Sequence, residues 1–169
     1  MRNYSLKTSQ SFELDQNEVF DFFSKPENLE RITPPNLKFK IITQSPIKME
    51  KGQLINYKIK ISHIPMKWRT LISDYNPPHS FIDSQVKGPY STWIHSHDFR
   101  YEDGTTIVTD TVVYRPPFYF IGDIANKIYI RTMLNKIFNY RFNKIAEIFQ
   151  KKYPNAKIQN SGFLIRFDT

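Results

Sequence analysis

The stretch GPYSTWIHSHDF, residues 88–99, places Trp93, His95, His97 and Phe99 at every second position. Side chains alternate across a strand, so one face would carry two histidines between two large aromatics. The partner strand lies just downstream, in GTTIVTDTVVYRP (104–116), after an Asp103-Gly104 pair suited to a tight hairpin turn. A turn there sets Trp93 opposite Tyr114, His95 opposite Val112, His97 opposite Asp110 and Phe99 opposite Val108.

The same reasoning extends outward. A turn of Asn76-Pro77-Pro78-His79 pairs Ile72 with Asp83 and Thr70 with Gln85. A turn centred on His63-Ile64 pairs Ile59 with Trp68 and Tyr57 with Thr70. A three-residue turn at Gly88-Pro89-Tyr90, its length chosen to keep one face continuous, pairs Asp83 with His95 and Gln85 with Trp93. The shared face then combines Ile55, Tyr57, Ile59, Trp68, Thr70 and Ile72 with Phe81, Asp83, Gln85, the histidine row, and Val108, Asp110, Val112 and Tyr114. The other face collects Lys58, Lys67, Arg69, Asp98 and Arg100 and is the wetter one.

Around these hairpins, residues 3–14 alternate as a strand. Asp15 caps a short helix over 16–24, with Val19, Phe20 and Phe23 on one side and Glu18 at the capping-box position. Pro26 begins a second short helix, PENLERI, which Thr33-Pro34-Pro35 stops. Strand signals follow at 37–44, 53–62, 66–75, 79–87, 91–102 and 105–114. Ile124, Ile128, Leu134, Ile137, Phe138, Ile145, Ile148 and Phe149 then recur at helical spacing, which predicts an amphipathic helix of about seven turns. Residues 1–151 therefore read as one α+β domain: an antiparallel sheet whose apolar face only the long terminal helix can cover. Residues 152–169, with Pro154 and Gly162, read as a loosely held tail.

Of the 169 residues, 40% are hydrophobic and 15% aromatic, ample for a core or a cavity wall. The absence of cysteine excludes disulfides, thiolate catalysis and zinc–sulfur sites. The N-terminus lacks an apolar signal region and no apolar run reaches transmembrane length, so the expected location is the cytoplasm. The formal charge is +8, and residues 124–152 hold seven Lys/Arg against Glu147 alone. That stretch reads first as a solvated helix face and second as a weak contact for anionic surfaces; no nucleic-acid partner is expected.

The polar centre of the apolar face is the chemical question. Asp83, Gln85, His95, His97 and Asp110 sit where a flat sheet-on-helix core would carry Val, Ile and Leu. A buried unpaired charge costs several kcal/mol, so these groups must pair or meet a ligand. His95 with Asp83 and His97 with Asp110 would pair across strands. Two histidines at i and i+2 with either carboxylate are also a metal-donor set, but His63 and His79 fall in turns. A satisfied polar network is the preferred reading, with no metal and no cofactor. A His beside an Asp suits acid–base chemistry, yet no Cys or Ser nucleophile accompanies it, so no catalytic residue is assigned. For Tyr57, Trp68, Trp93 and Tyr114, core packing and pocket lining both stay open. Phe118, Tyr119 and Phe120 read either as part of a lid or as a packing staple.

At these residues the chain resembles a bacterial ligand-binding, cyclase/dehydrase-like subgroup of the START/birch-pollen-allergen-like (SRPBCC) superfamily. The resemblance runs from about residue 4 to 150. It is carried by PENLERITPPNLKF (26–39), Trp68, FIDSQVKGPYSTWIHSHDF (81–99), GTTIVTDTVVYRP (104–116) and IFNYR (137–141). It implies a helix-grip fold, in which a seven-stranded curved antiparallel sheet wraps a long C-terminal helix around a hydrophobic cavity. The implied function is a carrier or sensor of a small, largely apolar ligand. The expected ligand-binding set is Tyr57, Trp68, Asp83, Gln85, Trp93, His95, His97, Phe99, Asp110, Tyr114 and Phe138. An enzyme of the cyclase/dehydratase type would use His95, His97, Asp83 and Asp110. An interaction protein acting through the basic helix face is the third reading.

Overall fold

The computed structural model describes residues 2–167, and the side chains of all of these except Tyr119, Phe120, Asp123 and 161–167. Its elements in chain order are β1 (Tyr4–Phe12), α1 (Gln16–Phe23), α2 (Asn28–Ile32), β2 (Lys40–Ile41), β3 (Leu54–Ile61), β4 (Ile64–Asn76), β5 (Ser80–Lys87), β6 (Thr92–Glu102) and β7 (Thr105–Arg115). The chain ends with α3 (Tyr119–Ala125), a π-helical turn (Asn126–Ile130), α4 (Arg131–Lys152) and β8 (Ile158–Phe167). All strands join one antiparallel sheet in the order β2-β3-β4-β5-β6-β7-β1-β8, with α4 against its concave face. This is the helix-grip arrangement, with eight strands rather than seven. The eighth comes from the stretch that the sequence leaves as a tail, and it pairs with β1. Among the described residues no helix is long and apolar enough to cross a membrane.

The central register is the one the sequence predicts. Trp93 faces Tyr114, His95 faces Val112, His97 faces Asp110 and Phe99 faces Val108. Asp103 and Gly104 both have positive φ (48° and 77°), the backbone that a two-residue hairpin needs. Asp83 faces His95, and Ile72 faces Asp83 and Thr70 faces Gln85 around bulges in the β4–β5 pair. The β5–β6 ladder stops at Ser84–Ile94, short of Gln85. Instead the Gln85 side chain donates to Tyr90 O at 2.6 Å and accepts from Tyr90 N at 3.3 Å. Gly88 leaves room for this arrangement, because a Cβ there would come within 2.2 Å of Gln85 Oε1 and displace the side chain.

Four further expectations need correction. The β3–β4 turn is Ser62-His63, both at positive φ, so Tyr57 faces Trp68 and Ile59 faces Met66. A slip of two residues leaves every side chain on its expected face. The strand expected over 37–44 shrinks to Lys40–Ile41, because Pro35–Leu37 forms a 3₁₀ turn and Lys38 is left-handed (φ 45°). The long helix starts earlier than expected and changes phase at the π turn. As a result Ile124 and Ile128 point outward, 54% and 73% exposed, while Leu134, Phe138, Ile145 and Phe149 are buried. The π turn is anchored by Asn126, fully buried, whose Oδ1 accepts from Tyr114 Oη at 2.9 Å. Asp15 does cap α1, accepting from Asn17 N at 2.9 Å, but Glu18 meets Lys152 and Tyr153 instead of closing a capping box.

Candidate ligand-binding site

The core is divided. Leu6, Trp68, Tyr90, Val112, Tyr114, Leu134 and Phe138 belong to one apolar cluster. Phe12, Val19, Phe20, Phe81, Phe99, Ile145 and Phe149 belong to another, roofed by α1 and α2. Between them the same elements turn polar: His95 and His97 on β6, Asp110 on β7, Thr8 and Gln10 on β1, Asp83 on β5 and Arg141 on α4. Thr8 lies opposite Asp110 in the β1–β7 ladder. A polar belt thus crosses four strands and the helix at mid-height.

The centre of the belt is a four-membered ring of ionisable groups. His97 Nδ1 lies 2.6 Å from Asp110 Oδ1, and its Nε2 lies 3.2 Å from Asp83 Oδ2. His95 reaches the same two oxygens at 3.4 Å each, through Nε2 to Asp110 and Nδ1 to Asp83. Each histidine therefore touches both carboxylates. The two rings lie 3.9 Å apart, and Phe81 stacks on His97 at 4.1 Å. His95, His97 and Asp110 are all buried. His97 Nδ1 and Asp110 Oδ1 approach off the direction of the ring N–H, so their contact is electrostatic, while His97 to Asp83 is the directed hydrogen bond.

Burial and pairing set the charges. Burial opposes charge at all four groups, but the histidines outweigh it at Asp83 and Asp110, whose carboxyls lie below the ordinary value. Burial also lowers His97, yet the Asp110 charge and the close contacts with both carboxylates push it up to about 9. At His95, burial and the neighbouring His97 charge win, and the ring is held below its ordinary value. At neutral pH the ring carries two carboxylates, one imidazolium and one neutral imidazole.

The second cation is Arg141. It sits three residues after Phe138 and four before Ile145, on the apolar stripe of α4. Burial lowers it, offset through space by Asp110, Asp83 and Tyr57, and its guanidinium lies 5.1 Å over the Phe138 ring. With Arg141 the belt sums to zero charge. The sequence reading missed this residue, though a cation on an apolar stripe was the available signal. Thr8 and Gln10 were missed in the same way, as polar residues on the buried side of β1.

A cavity of about 120 Å³ lies on one side of the belt. Tyr57, Trp68, Trp93, Leu134, Ile137 and Phe138 form its apolar wall, and Asp83, His95, His97 and Arg141 form its polar end. The wall is itself tied down: Trp68 Nε1 donates to Thr70 Oγ1 at 3.1 Å, and the Tyr57 hydroxyl bonds the same oxygen. An outer groove of about 600 Å³ shares Leu37, Met133 and Ile137 with the cavity and opens past the β3–β4 turn. There the Ser62 and Tyr129 hydroxyls bond, clasping that turn to the π turn.

Of the expected ligand-binding residues, the structure brings Tyr57, Trp68, Asp83, Trp93, His95, His97 and Phe138 to this cavity. Phe99 and Tyr114 are packed in the two apolar clusters, and Gln85 holds the β5–β6 loop. Asp110 faces away from the cavity, toward a void of about 20 Å³ under α1 and α2. Phe118 is 75% exposed, and the Tyr119 and Phe120 side chains lie outside the described residues. The seven cations of the terminal helix do not form one face: Arg141 points inward, and Lys144 and Lys152 pair with Glu147 and Glu18. Among the described residues Asp83, His95 and His97 bring one donor atom each within 4.8 Å of one another, a geometry a cation could use. His97 and Arg141 already balance both carboxylates without one.

No family model and no curated protein matches the sequence. Solved structures do match. The chain is similar to protein Ms6760 from Mycobacterium smegmatis, with a TM-score of 0.63 and 15% identity over 88% of this chain and 92% of that one. It is similar to ginseng major latex-like protein 151 from Panax ginseng, with a TM-score of 0.61 and 14% identity over 86% of this chain and 96% of that one. It also matches part of a nucleoside-diphosphate sugar epimerase from Corynebacterium glutamicum, with a TM-score of 0.60 and 22% identity over 85% of this chain but 29% of that one. At these identities the likeness is one of fold, and the fold is the birch-pollen-allergen-like helix grip.

Proposed function

We propose that the protein binds one small, largely apolar molecule inside the grip, as a carrier or sensor, with the molecule's polar end against the belt. The observation that carries this reading is the cavity's two-sided chemistry: aromatic and aliphatic walls that end on charged groups, with His97 buried and Asp83 and Arg141 half-buried. Such a site grips the body of a ligand by burial and fixes its orientation by a few polar contacts. At about 120 Å³ the cavity is smaller than the ~300–1,000 Å³ that holds drug-sized ligands. The ligand is accordingly small, or it widens the grip by moving the Ser62–Tyr129 clasp. The sequence resemblance to ligand-binding, cyclase/dehydrase-like proteins supports the same reading.

Native mass spectrometry of protein purified without added ligand is the first test. A retained small molecule, or uptake of one equivalent of p-cresol that quenches Trp68 and Trp93 fluorescence, is the expected result. No adduct and no response to the probe would sink the reading. Conversion of a bound molecule to a new mass over time would instead favour an acid–base enzyme built on His95, His97, Asp83 and Asp110.

A further inference from the structure

Arg141 is the one cation in the belt that touches no anion. His97 meets both aspartates directly, whereas Arg141 forms no hydrogen bond or ion pair with a described residue. Its Nε is buried without an acceptor. The two aspartates neutralise it through space, but a charge balanced at a distance does not satisfy five N–H donors. A guanidinium presents those donors as a rigid planar fork, which matches a carboxylate in bidentate fashion. Leaving such donors unbonded inside a protein is costly, and Arg141, half-buried, lines the cavity.

We infer that the molecule held in this cavity carries a carboxylate and that Arg141 receives it as a bidentate ion pair, an inference that rests on the cavity being the ligand site. The surroundings favour this anion over others. Asp83 and Asp110 are close enough to influence Arg141 and would repel a doubly charged phosphate more than a single, flat carboxylate. The walls beyond Arg141 are Trp93, Trp68 and Phe138, so the rest of the acid is aromatic or short aliphatic. Its charge would take the belt to one net negative. His95 is the group able to restore balance: it is neutral and faces Asp83 from β5, Asp110 from β7 and His97 from its own strand, with Arg141 across the cavity on α4. Binding of the acid should therefore draw a proton onto His95.

The test is a matched pair, phenylacetate and phenylacetamide, titrated calorimetrically at pH 7 into the full chain and into Arg141→Gln. The acid should bind the unaltered protein about tenfold or more tightly than the amide, as a charge-assisted pair does. Arg141→Gln should abolish that preference, the acid's affinity falling to that of the amide. Acid titrations in buffers of different ionisation enthalpy should show net proton uptake, and the amide should show none. Equal binding of acid and amide, or a preference that survives Arg141→Gln, overturns this inference and leaves the ligand site standing. Binding of neither probe overturns both. If Arg141→Gln does not fold, Arg141→Lys, which keeps the charge but loses the fork, should lose part of the preference, and the acid–amide comparison in the unaltered protein still decides.

Discussion

His97 and Asp110 oppose each other across the β6–β7 ladder with Nδ1 2.6 Å from Oδ1, both buried between two apolar clusters. Removing one partner leaves the other charge in the dry interior, so His97→Ala should cost about 3–5 kcal/mol. The combined His97→Leu, Asp110→Leu change removes the pair together, and Asp83 then still faces Arg141. Its cost should fall short of the summed single changes by about 1–3 kcal/mol in denaturant unfolding. Strictly additive losses would mean that the two side chains do not meet.

The same ring predicts a pH profile. His97 is raised from an ordinary 6.5 to about 9, so its contribution is complete below pH 6.5 and disappears as pH rises through 9. His95 is shifted downward, so stability should also fall as pH drops below its ordinary value of 6.5, where the unfolded chain takes up the proton. The lowered Asp83 and Asp110 contribute above about pH 4 and lose that contribution on further acidification. Stability should therefore peak near pH 6.5. The loss between pH 6.5 and 9.5, up to ~3 kcal/mol, should be largely absent in His97→Gln. A flat unfolding free energy across that alkaline range in the unaltered protein would contradict the charged His97.

Trp93 and Phe99 share a face of β6 but have different neighbours. Phe99 is buried in the cluster under α1, so Phe99→Ala should cost about 3–5 kcal/mol. Trp93 is half-buried and already lines a cavity, so Trp93→Ala should cost less than Phe99→Ala and should weaken p-cresol binding. Thermal scans with and without the probe check both. A Trp93→Ala loss as large as that of Phe99→Ala, with unchanged probe affinity, would count against the cavity wall.

Tyr114 and Asn126 form a buried hydrogen bond that fixes the π turn. Tyr114→Phe leaves the Asn126 carbonyl unsatisfied and should cost about 1–3 kcal/mol. Hydrogen exchange should speed up through Asn126–Ile130 and not through the centre of α4. Unchanged exchange there would show that the turn is held by something else.

The features read most easily from sequence were those with a local cause. Asp103-Gly104 admits one tight turn, and that turn sets the β6–β7 pairing residue by residue. His63 invited a turn one position too late because Ser62 carries no sequence mark of its left-handed backbone. Arg141 is hidden in the sequence because the α4 pattern rests on its apolar positions, and a cation among them breaks no spacing. Ile124 and Ile128 kept the period in sequence but lost it in space, since a π turn rephases everything before it. β8 was illegible for another reason. Its partner is about 150 residues away, as in the pairing of Phe12 with Ile158, and no turn announces it.

β1 pairs with β7 and β8 rather than with its sequence neighbours, so the first strand made is the last to be enclosed. Tyr4 meets Tyr114 and Phe12 meets Thr106. During synthesis at ~5–20 residues per second, β1 emerges and then waits ~5–20 s before β7 exists. Throughout that interval both its edges are open and Leu6 and Phe12, fully buried in the finished fold, have nothing to cover them. The nascent fold is thus most prone to wrong pairing at β1, and a chaperone that holds Tyr4–Phe12 would protect it more than one acting on any later strand.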